Sequence, residues 1–177
     1  VEFSKQYAEN RRVKAGAPSL SKHIQFESML SMTGANADDR YTHKPSQTGA
    51  IALALLSKLG GAAAAGSFDA DLTKGIEKAA AALNASKGNA LVVCGSNDVN
   101  IQLLVNAINE AIGANGTTIN WAVTNNVANG IDADMVTLAN DVMNGTVGGL
   151  LVYGCNPVYS TADGKKLGDA IEKLPFS

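Results

Sequence analysis

Two short turns have the residue types that suit ligand binding. The turn Gly95–Asn97 follows the apolar run Ala90–Cys94, and Gly154 and Asn156 follow the apolar run Leu150–Tyr153. A glycine turn at the start of a helix presents main-chain N–H groups and the positive end of the helix dipole, which attract anions. At the carboxyl edge of a parallel sheet such turns form the usual ligand site of α/β proteins. The two turns are therefore candidates for an anion-binding site.

The same turns also suit a purely structural role. After the first run Asn97 or Asp98 is a good helix cap, and after the second run Gly154 and Pro157 are sufficient to turn the chain. The first turn contains a single glycine, so it lacks the G-x-G-x-x-G pattern of a dinucleotide site. The anion-binding and the structural interpretations both stay open.

Other chemistries lack enough residues of the required type. His23 and His43 stand apart, and two cysteines are too few for a closed zinc or iron–sulfur site, so we predict no intrinsic metal. Cys94 and Cys155 follow predicted strands, which favours two buried thiols, with a disulfide as the alternative. The neighbouring carboxylates of Asp38–Asp39 favour a surface pair or an Asx turn over general acid–base catalysis.

Composition narrows the class of protein. The chain has 177 residues, of which 46% are hydrophobic and 17% charged, with a net charge of −2. These values are typical of one globular domain with a substantial core. No basic stripe is present, which predicts no nucleic-acid partner. The apolar stretch Ile51–Leu56 is far shorter than the ~20 residues of a membrane span, which predicts no direct membrane insertion. Because the chain begins without Met, we expect a fragment of a longer protein.

Alternating strand and helix patterns organise the chain. Residues 1–22 form a polar lead-in, either a short helix or a partly ordered segment, and residues 23–177 form the predicted domain. Strands are predicted at 23–28, 90–94, 117–123 and 150–153. Helices are predicted at 48–59, 97–112, 132–143 and 163–174, with one more capped by Ser67 or Asp69 and ended by Gly88. Residues 29–47 are predicted as a polar loop, and 60–66 as an exposed connector.

This order of elements predicts the fold class. From residue 69 onward the pattern α-β-α-β-α-β-α implies right-handed crossovers and a parallel sheet. We therefore predict an α/β fold in three layers, with a mostly parallel sheet and helices on both faces. The runs 91–94 and 150–153 are expected to be buried strands of that sheet.

Motifs along most of the chain resemble the middle domain of molybdopterin oxidoreductases of the formate dehydrogenase and dimethyl sulfoxide reductase type. The matching segments follow the order of that family: Phe26–Met29, Thr33 with Ala37–Asp38, Lys44–Thr48, Val92–Gly95, Gly154–Ser160 and Ala170–Phe176. The resemblance spans Ile24 to Phe176. This combination is most similar to the molybdopterin-like part of the iron–sulfur subunit of alternative complex III, a quinol-oxidising respiratory assembly.

The resemblance also implies where a cofactor site would lie. Seven positions match the cofactor-binding stretches of the family and form a candidate, vestigial site: Lys44, Thr48, Gly95, Ser96, Asn97, Gly154 and Asn156. In the family an aspartate at the position of Thr48 holds the guanine of the pterin cofactor. A neutral hydroxyl cannot offer the paired acceptors of a carboxylate. Two further departures are Ser46, where the family has glycine, and Glu27-Ser28-Met29, where it has D-P-R.

The functional expectations follow from this resemblance. It implies a cofactor-free domain that serves assembly of a membrane-bound respiratory complex, with other domains of the parent chain and respiratory subunits as partners. The parent chain would hold iron–sulfur clusters and lie at the periplasmic side of a bacterial inner membrane, and the fragment itself would be soluble and not catalytic. One alternative is part of a genuine oxidoreductase that binds molybdopterin guanine dinucleotide. The other is an unrelated small nucleotide-binding protein.

Overall fold

The structure is a computed structural model that describes residues 2–16, 20–61, 66–123 and 130–176. The chain divides into two units, Val1–Thr124 and Asn125–Ser177, which are described separately. In the first unit the elements are α1 (Glu2–Glu9), β1 (Ile24–Glu27), α2 (Met32–Ala35), β2 (Asp39–Thr42), α3 (Thr48–Lys58), α4 (Ala70–Ala85) and α5 (Val99–Ala111). In the second they are α6 (Asp132–Met143), α7 (Pro157–Ser160) and α8 (Gly164–Ile171).

The sheet seen in the described residues consists of β1 and β2. They are parallel, with Ile24 opposite Asp39 and Glu27 opposite Thr42. The strand predicted at 23–28 is confirmed by β1, but the polar loop predicted at 29–47 is wrong because it contains α2, β2 and a 3-10 turn. β2 buries one apolar side chain, Tyr41, which stacks on Phe26. One buried residue produces no alternating pattern, so this strand has no clear signal in the sequence.

Three helices form the core of the first unit, and their predicted positions are confirmed. Apolar residues of α3, α4 and α5 pack together with the turn after α5: Ala52, Leu55, Leu56, Leu59, Ala79, Ala80, Ile108, Ile112 and Ala114. Asp69 and Asp98 cap α4 and α5, accepting hydrogen bonds from Leu72 N and Asn100 N, each at 2.8 Å. Helical spacing and local caps were sufficient to predict these elements.

The run 90–94 is not the buried strand that its composition predicts, because it belongs to no helix or strand of the structure. Leu91 and Val93 are 49% and 79% exposed, while Ala90 and Val92 pack against the helical core. Side chains from other parts of the unit bond the main chain of two alternate residues of the run. The Asn109 side chain makes two hydrogen bonds to Val92, and Thr118 Oγ1 donates to Ala90 O at 2.8 Å. Within the described residues no strand pairs with this run, so no neighbouring strand of a sheet covers Leu91 and Val93.

The strand predicted at 117–123 is also wrong. Residues 115–119 form a tight turn in which Gly116 N donates to Ile119 O at 2.9 Å, and Trp121 is 65% exposed. Gly116 has a φ of +78°, a left-handed conformation that reverses the chain. The β-favouring residues Thr117, Thr118 and Ile119 therefore fall inside a turn. The segment 124–129 lies outside the described residues, as does 62–65 of the predicted connector.

In the second unit the predicted helix 132–143 is confirmed with the same bounds, and the helix predicted at 163–174 is shorter, as α8. The buried strand predicted at 150–153 is wrong, because Leu151 is 88% and Tyr153 94% exposed. Among the described residues this run has one main-chain hydrogen bond, from Leu150 N to Phe176 O at 3.1 Å. Helix and parallel strand together make the chain α/β, whereas the described residues do not contain the predicted three-layer sheet.

The lead-in contains a short helix, the first of its two predicted forms, and side chains anchor it to the amino ends of the strands. Arg11 makes a two-pronged contact with Asp38, at 2.8 and 2.9 Å, and Tyr7 Oη lies 2.8 Å from His23 Nδ1. Asp39 pairs with Lys78. The Asp38–Asp39 pair is thus a surface pair bound by basic side chains. Across the described ranges, no helix has the length and apolarity needed to cross a membrane.

We predict that the Arg11–Asp38 contact makes stability depend on pH. The hydrogen bonds from Arg11, followed by the one from His23 N–H, hold the pKa of Asp38 well below its usual range. This contribution is present above the unfolded-state pKa of about 3.9 and is lost as the pH falls toward the folded-state pKa. Urea unfolding should therefore show Asp38→Asn less stable than wild type at pH 7, with the gap closing in acid. A gap that stays constant down to pH 2 would contradict this account.

Candidate functional site

The carboxyl ends of the two strands and the first turns of two helices lie at one end of the first unit. β1 and β2 are parallel, so their carboxyl ends share one edge, and β2 leads directly through Lys44 and a 3-10 turn into α3. The first turns of α3 and α5 are neighbours, because a Cβ on Gly49 would lie 3.5 Å from Cγ1 of Ile101. This end of the unit therefore brings the predicted positions Lys44 and Thr48 near the turn 95–97.

Thr48 is engaged locally at the start of α3. Its hydroxyl donates to Pro45 O at 2.9 Å, and Lys44 N donates to the side-chain oxygen of Gln47 at 2.9 Å. The threonine is half-buried and the side chain of Lys44 is exposed. With its proton committed to a carbonyl, the Thr48 hydroxyl retains acceptor capacity but no negative charge.

The turn Gly95–Asn97 is held by the helix that follows it. The side-chain nitrogen of Gln102, Nε2, donates to Cys94 O at 2.9 Å and to Ser96 O at 2.6 Å. Asp98 caps α5, and its carboxylate accepts from the N–H groups of Asn100 and Ile101 at 2.8 and 3.4 Å. Of the two interpretations, the capped turn is therefore present, with Asp98 as the cap. Its carboxylate occupies the donors that a bound anion would use.

Two side chains at this edge, His43 and Ser28, were not predicted as site residues. His43 Nδ1 lies 2.8 Å from Lys44 O and 3.4 Å from the Ser28 hydroxyl. Because a carbonyl only accepts, the proton is assigned to Nδ1, which leaves Nε2 as the basic nitrogen. The position of these residues in the sequence could have indicated the pair, because each directly follows one of the parallel strands.

The acidic side chain at the edge, Glu27, is neutralised within the protein. It is buried and accepts hydrogen bonds from Arg40 and from the Ser31 hydroxyl. These contacts, Arg40 first, lower the pKa of Glu27, so it remains ionised and paired. In the part of the chain that the structure describes, no three His, Cys, Asp or Glu side chains converge as metal ligands. The expected absence of a metal remains a prediction for elemental analysis.

Gly154 and Asn156 belong to the second unit. Gly154 has a φ of +68°, and the side-chain oxygen of Asn156 accepts from Tyr159 N at 3.1 Å to cap α7. The turn interpretation therefore accounts for both residues. Cys94 and Cys155 are both free, and Cys155 is exposed rather than buried, because the run before it is not a buried strand.

The second unit has an apolar groove of 330 Å³ beside the exposed run. Its walls are the run Leu150–Tyr153 and apolar residues of the neighbouring helices: Met135, Leu138, Val142 and Leu167. Few polar groups line it, so the groove suits an apolar occupant better than a charged cofactor. We call it the unit-two groove.

Comparison with known protein families gave no match for this chain, and comparison with curated proteins gave no similar sequence. The resemblance to molybdopterin oxidoreductases therefore remains a prediction from the motifs.

Proposed function

We propose that this chain is a cofactor-free, molybdopterin-oxidoreductase-like domain of an iron–sulfur subunit, with a structural and assembly role in a membrane-bound respiratory electron-transfer complex. The observation that supports this most is Thr48. The resemblance implies a guanine-holding aspartate at this position, whereas the hydroxyl here is neutral and donates to Pro45 O at 2.9 Å. A site without that carboxylate has lost its charged, two-pronged contact with guanine.

The surfaces of both units fit an assembly role. Exposed apolar residues lie on runs that belong to no helix or strand: Leu91 and Val93 in one unit, and Leu151 and Tyr153 in the other. We propose that the three-layer, mostly parallel sheet forms when such runs acquire strand partners in the assembled protein. Apolar residues on unpaired extended chain are a feature of interaction surfaces and are unfavourable in an isolated protein.

The proposed setting follows from the resemblance. Clusters elsewhere in the parent chain would move electrons, while this domain packs against partner subunits at the periplasmic side of a bacterial inner membrane. The 177-residue chain would have no catalytic activity of its own.

The alternative proposal is part of an oxidoreductase that binds molybdopterin guanine dinucleotide. It is supported by the position of Lys44, two residues after β2 at the carboxyl end of the parallel strands, where α/β proteins bind ligands, and by the nearby turn 95–97. The exposed ammonium group of Lys44 suits a phosphate. Nucleotide selectivity distinguishes the two proposals.

We predict that GDP binds no better than ADP, and that neither binds tightly. Loss of the aspartate contact should cost about 2–4 kcal/mol, which is tens- to several-hundred-fold in affinity. Calorimetric titration of the chain with each nucleotide measures this directly. A guanine-selective signal in the low micromolar range, about −8 kcal/mol, would favour the alternative proposal.

The Thr48→Asp variant provides a matched check of the same site. If the rest of the edge has kept its shape, the new carboxylate should produce a preference for GDP over ADP. Ser46→Asp, two residues earlier in the exposed 3-10 turn, is the control and should produce none. Equal gains in both variants would show a nonspecific effect of charge and would count against the proposed site.

A further inference from the structure

The exposed run of the second unit leaves most of its main-chain groups unpaired within the described residues. Leu150–Tyr153 belongs to no helix, strand or turn, and its main-chain hydrogen bond there is the one from Leu150 N to Phe176 O. An apolar patch can be covered by many shapes, but a row of unpaired main-chain N–H and C=O groups is matched best by an extended chain. The geometry therefore indicates what kind of partner covers this surface.

The exposed apolar area indicates the size of that partner. Leu151, Tyr153 and Phe176 are 88%, 94% and 73% exposed, and Phe176 O accepts from Leu150 N at the start of the run. Together these side chains expose roughly 500 Å². This is about as large as the largest apolar patch of a typical monomer, and it falls short of the ~800 Å² that each partner of a stable dimer buries. One strand, with side chains reaching the unit-two groove, fits the area better than a second copy of the chain.

Charge indicates the character of the partner. Residues 130–176 contain six Asp and Glu and three Lys, a net charge of −3. Asp132 lies beside Met135 on the side of the groove nearest the start of α6, and Asp163, which pairs with Lys166 at 3.0 Å, lies beside Leu167. Anionic membranes and nucleic acids are repelled by such a surface, and two copies of it repel each other, whereas basic residues are attracted.

We propose that Leu150–Tyr153 is a docking edge for an extended, apolar protein segment with flanking basic residues, added to this run as a neighbouring strand. This inference rests on the proposed assembly role and names the surface and the partner chemistry for it. Met135 and Leu138 line the groove under the run, and such flexible side chains adapt to the apolar residues of an incoming segment.

A synthetic peptide in which valine alternates with threonine, with lysines at both ends, is the probe. Binding to the 177-residue chain would be measured by fluorescence anisotropy, and amide hydrogen exchange would locate it. We expect slower exchange at residues 151–153 on binding. A peptide with proline at its centre should bind at least about tenfold more weakly, because proline removes a ladder donor. A peptide with glutamates at its ends should also bind more weakly at low salt.

Two protein variants distinguish peptide binding at this surface from nonspecific binding to exposed apolar residues. Tyr153→Lys should weaken peptide binding about tenfold, since it removes an exposed apolar contact. Leu103→Lys, at a 60% exposed site on α5, should leave it unchanged. Circular dichroism of each variant checks that the fold is retained.

Several outcomes would overturn the proposal. One is equal binding of the proline peptide, and another is slow exchange at 151–153 in the protein alone. The others are sedimentation as a dimer that Tyr153→Lys disrupts, and Tyr153-dependent binding to anionic vesicles. A negative result in the peptide experiments would not change the interpretation of the nucleotide titrations, because those titrations report on Thr48 in the first unit. Likewise, guanine-selective binding would refute the proposed function without changing the peptide result.

Discussion

Replacing Asn109 by alanine is expected to lower the free energy of unfolding by about 3 kcal/mol. Asn109 is 3% exposed on α5, and its side chain bonds the main chain of Val92 twice. Val92 N donates to its oxygen at 2.9 Å, and its amide nitrogen donates to Val92 O at 2.8 Å. The Asn109 side chain therefore pairs with the main-chain N–H and C=O of Val92, as the main chain of a neighbouring strand would.

The expected loss has two parts. Alanine removes two hydrogen bonds and also leaves a half-buried N–H and C=O without their partner, and the second part is the larger because unpaired buried polar groups are costly. Urea unfolding followed by circular dichroism measures the change.

Asn106 gives a matched control on the same helix. It is exposed, so Asn106→Ala should change the free energy of unfolding by less than about 0.5 kcal/mol. If both substitutions cost the same, the bridge from Asn109 to the run 90–94 does not contribute as described.

Gly75→Ala is expected to cost about 3 kcal/mol, although alanine normally favours a helix over glycine by about 1 kcal/mol. Gly75 is buried in α4, and a Cβ there would lie 2.6–2.7 Å from ring atoms of Tyr41. The ring cannot simply move away, because it stacks on Phe26 with centroids 5.4 Å apart. The helix, the ring and the sheet would all have to shift.

Gly49→Ala tests whether the effect comes from space rather than from glycine itself. Gly49 lies in α3, where a Cβ would meet Cγ1 of Ile101 at 3.5 Å, an ordinary contact. Its substitution should change stability by no more than about 1 kcal/mol, in the stabilising direction if helix propensity dominates. Thermal unfolding of the two variants gives the comparison, and equal costs would contradict the close packing of α4 on Tyr41.

The helices of this chain could be predicted from the sequence because their signals are local. Apolar residues such as Leu72, Ile76 and Ala79 recur at helical spacing, and Asp69 and Asp98 stand at the positions of caps. Strands depend on partners elsewhere in the chain. The runs 91–94 and 150–153 have the composition of buried strands, yet composition cannot show whether a neighbouring strand is there to cover them.

Part of the candidate site could also be predicted from the sequence. The turn 95–97 could be predicted because it follows an apolar run with the composition of a parallel strand. Lys44 was predicted from the resemblance alone, because no strand was predicted directly before it. His43, Gln102 and Asn109 were not found, since each acts through a contact with residues on another part of the chain. A lone histidine or amide in a sequence has no feature that reveals such a partner.

The most direct test of the central claim is the pterin and molybdenum content of the protein, purified from a host that makes molybdopterin guanine dinucleotide. Pterin is measured by fluorescence after oxidation, and molybdenum by elemental analysis. The resemblance implies a guanine-holding aspartate where this chain has Thr48, so we expect neither to approach one per chain. Either one close to one per chain would contradict the cofactor-free assignment and support the oxidoreductase alternative.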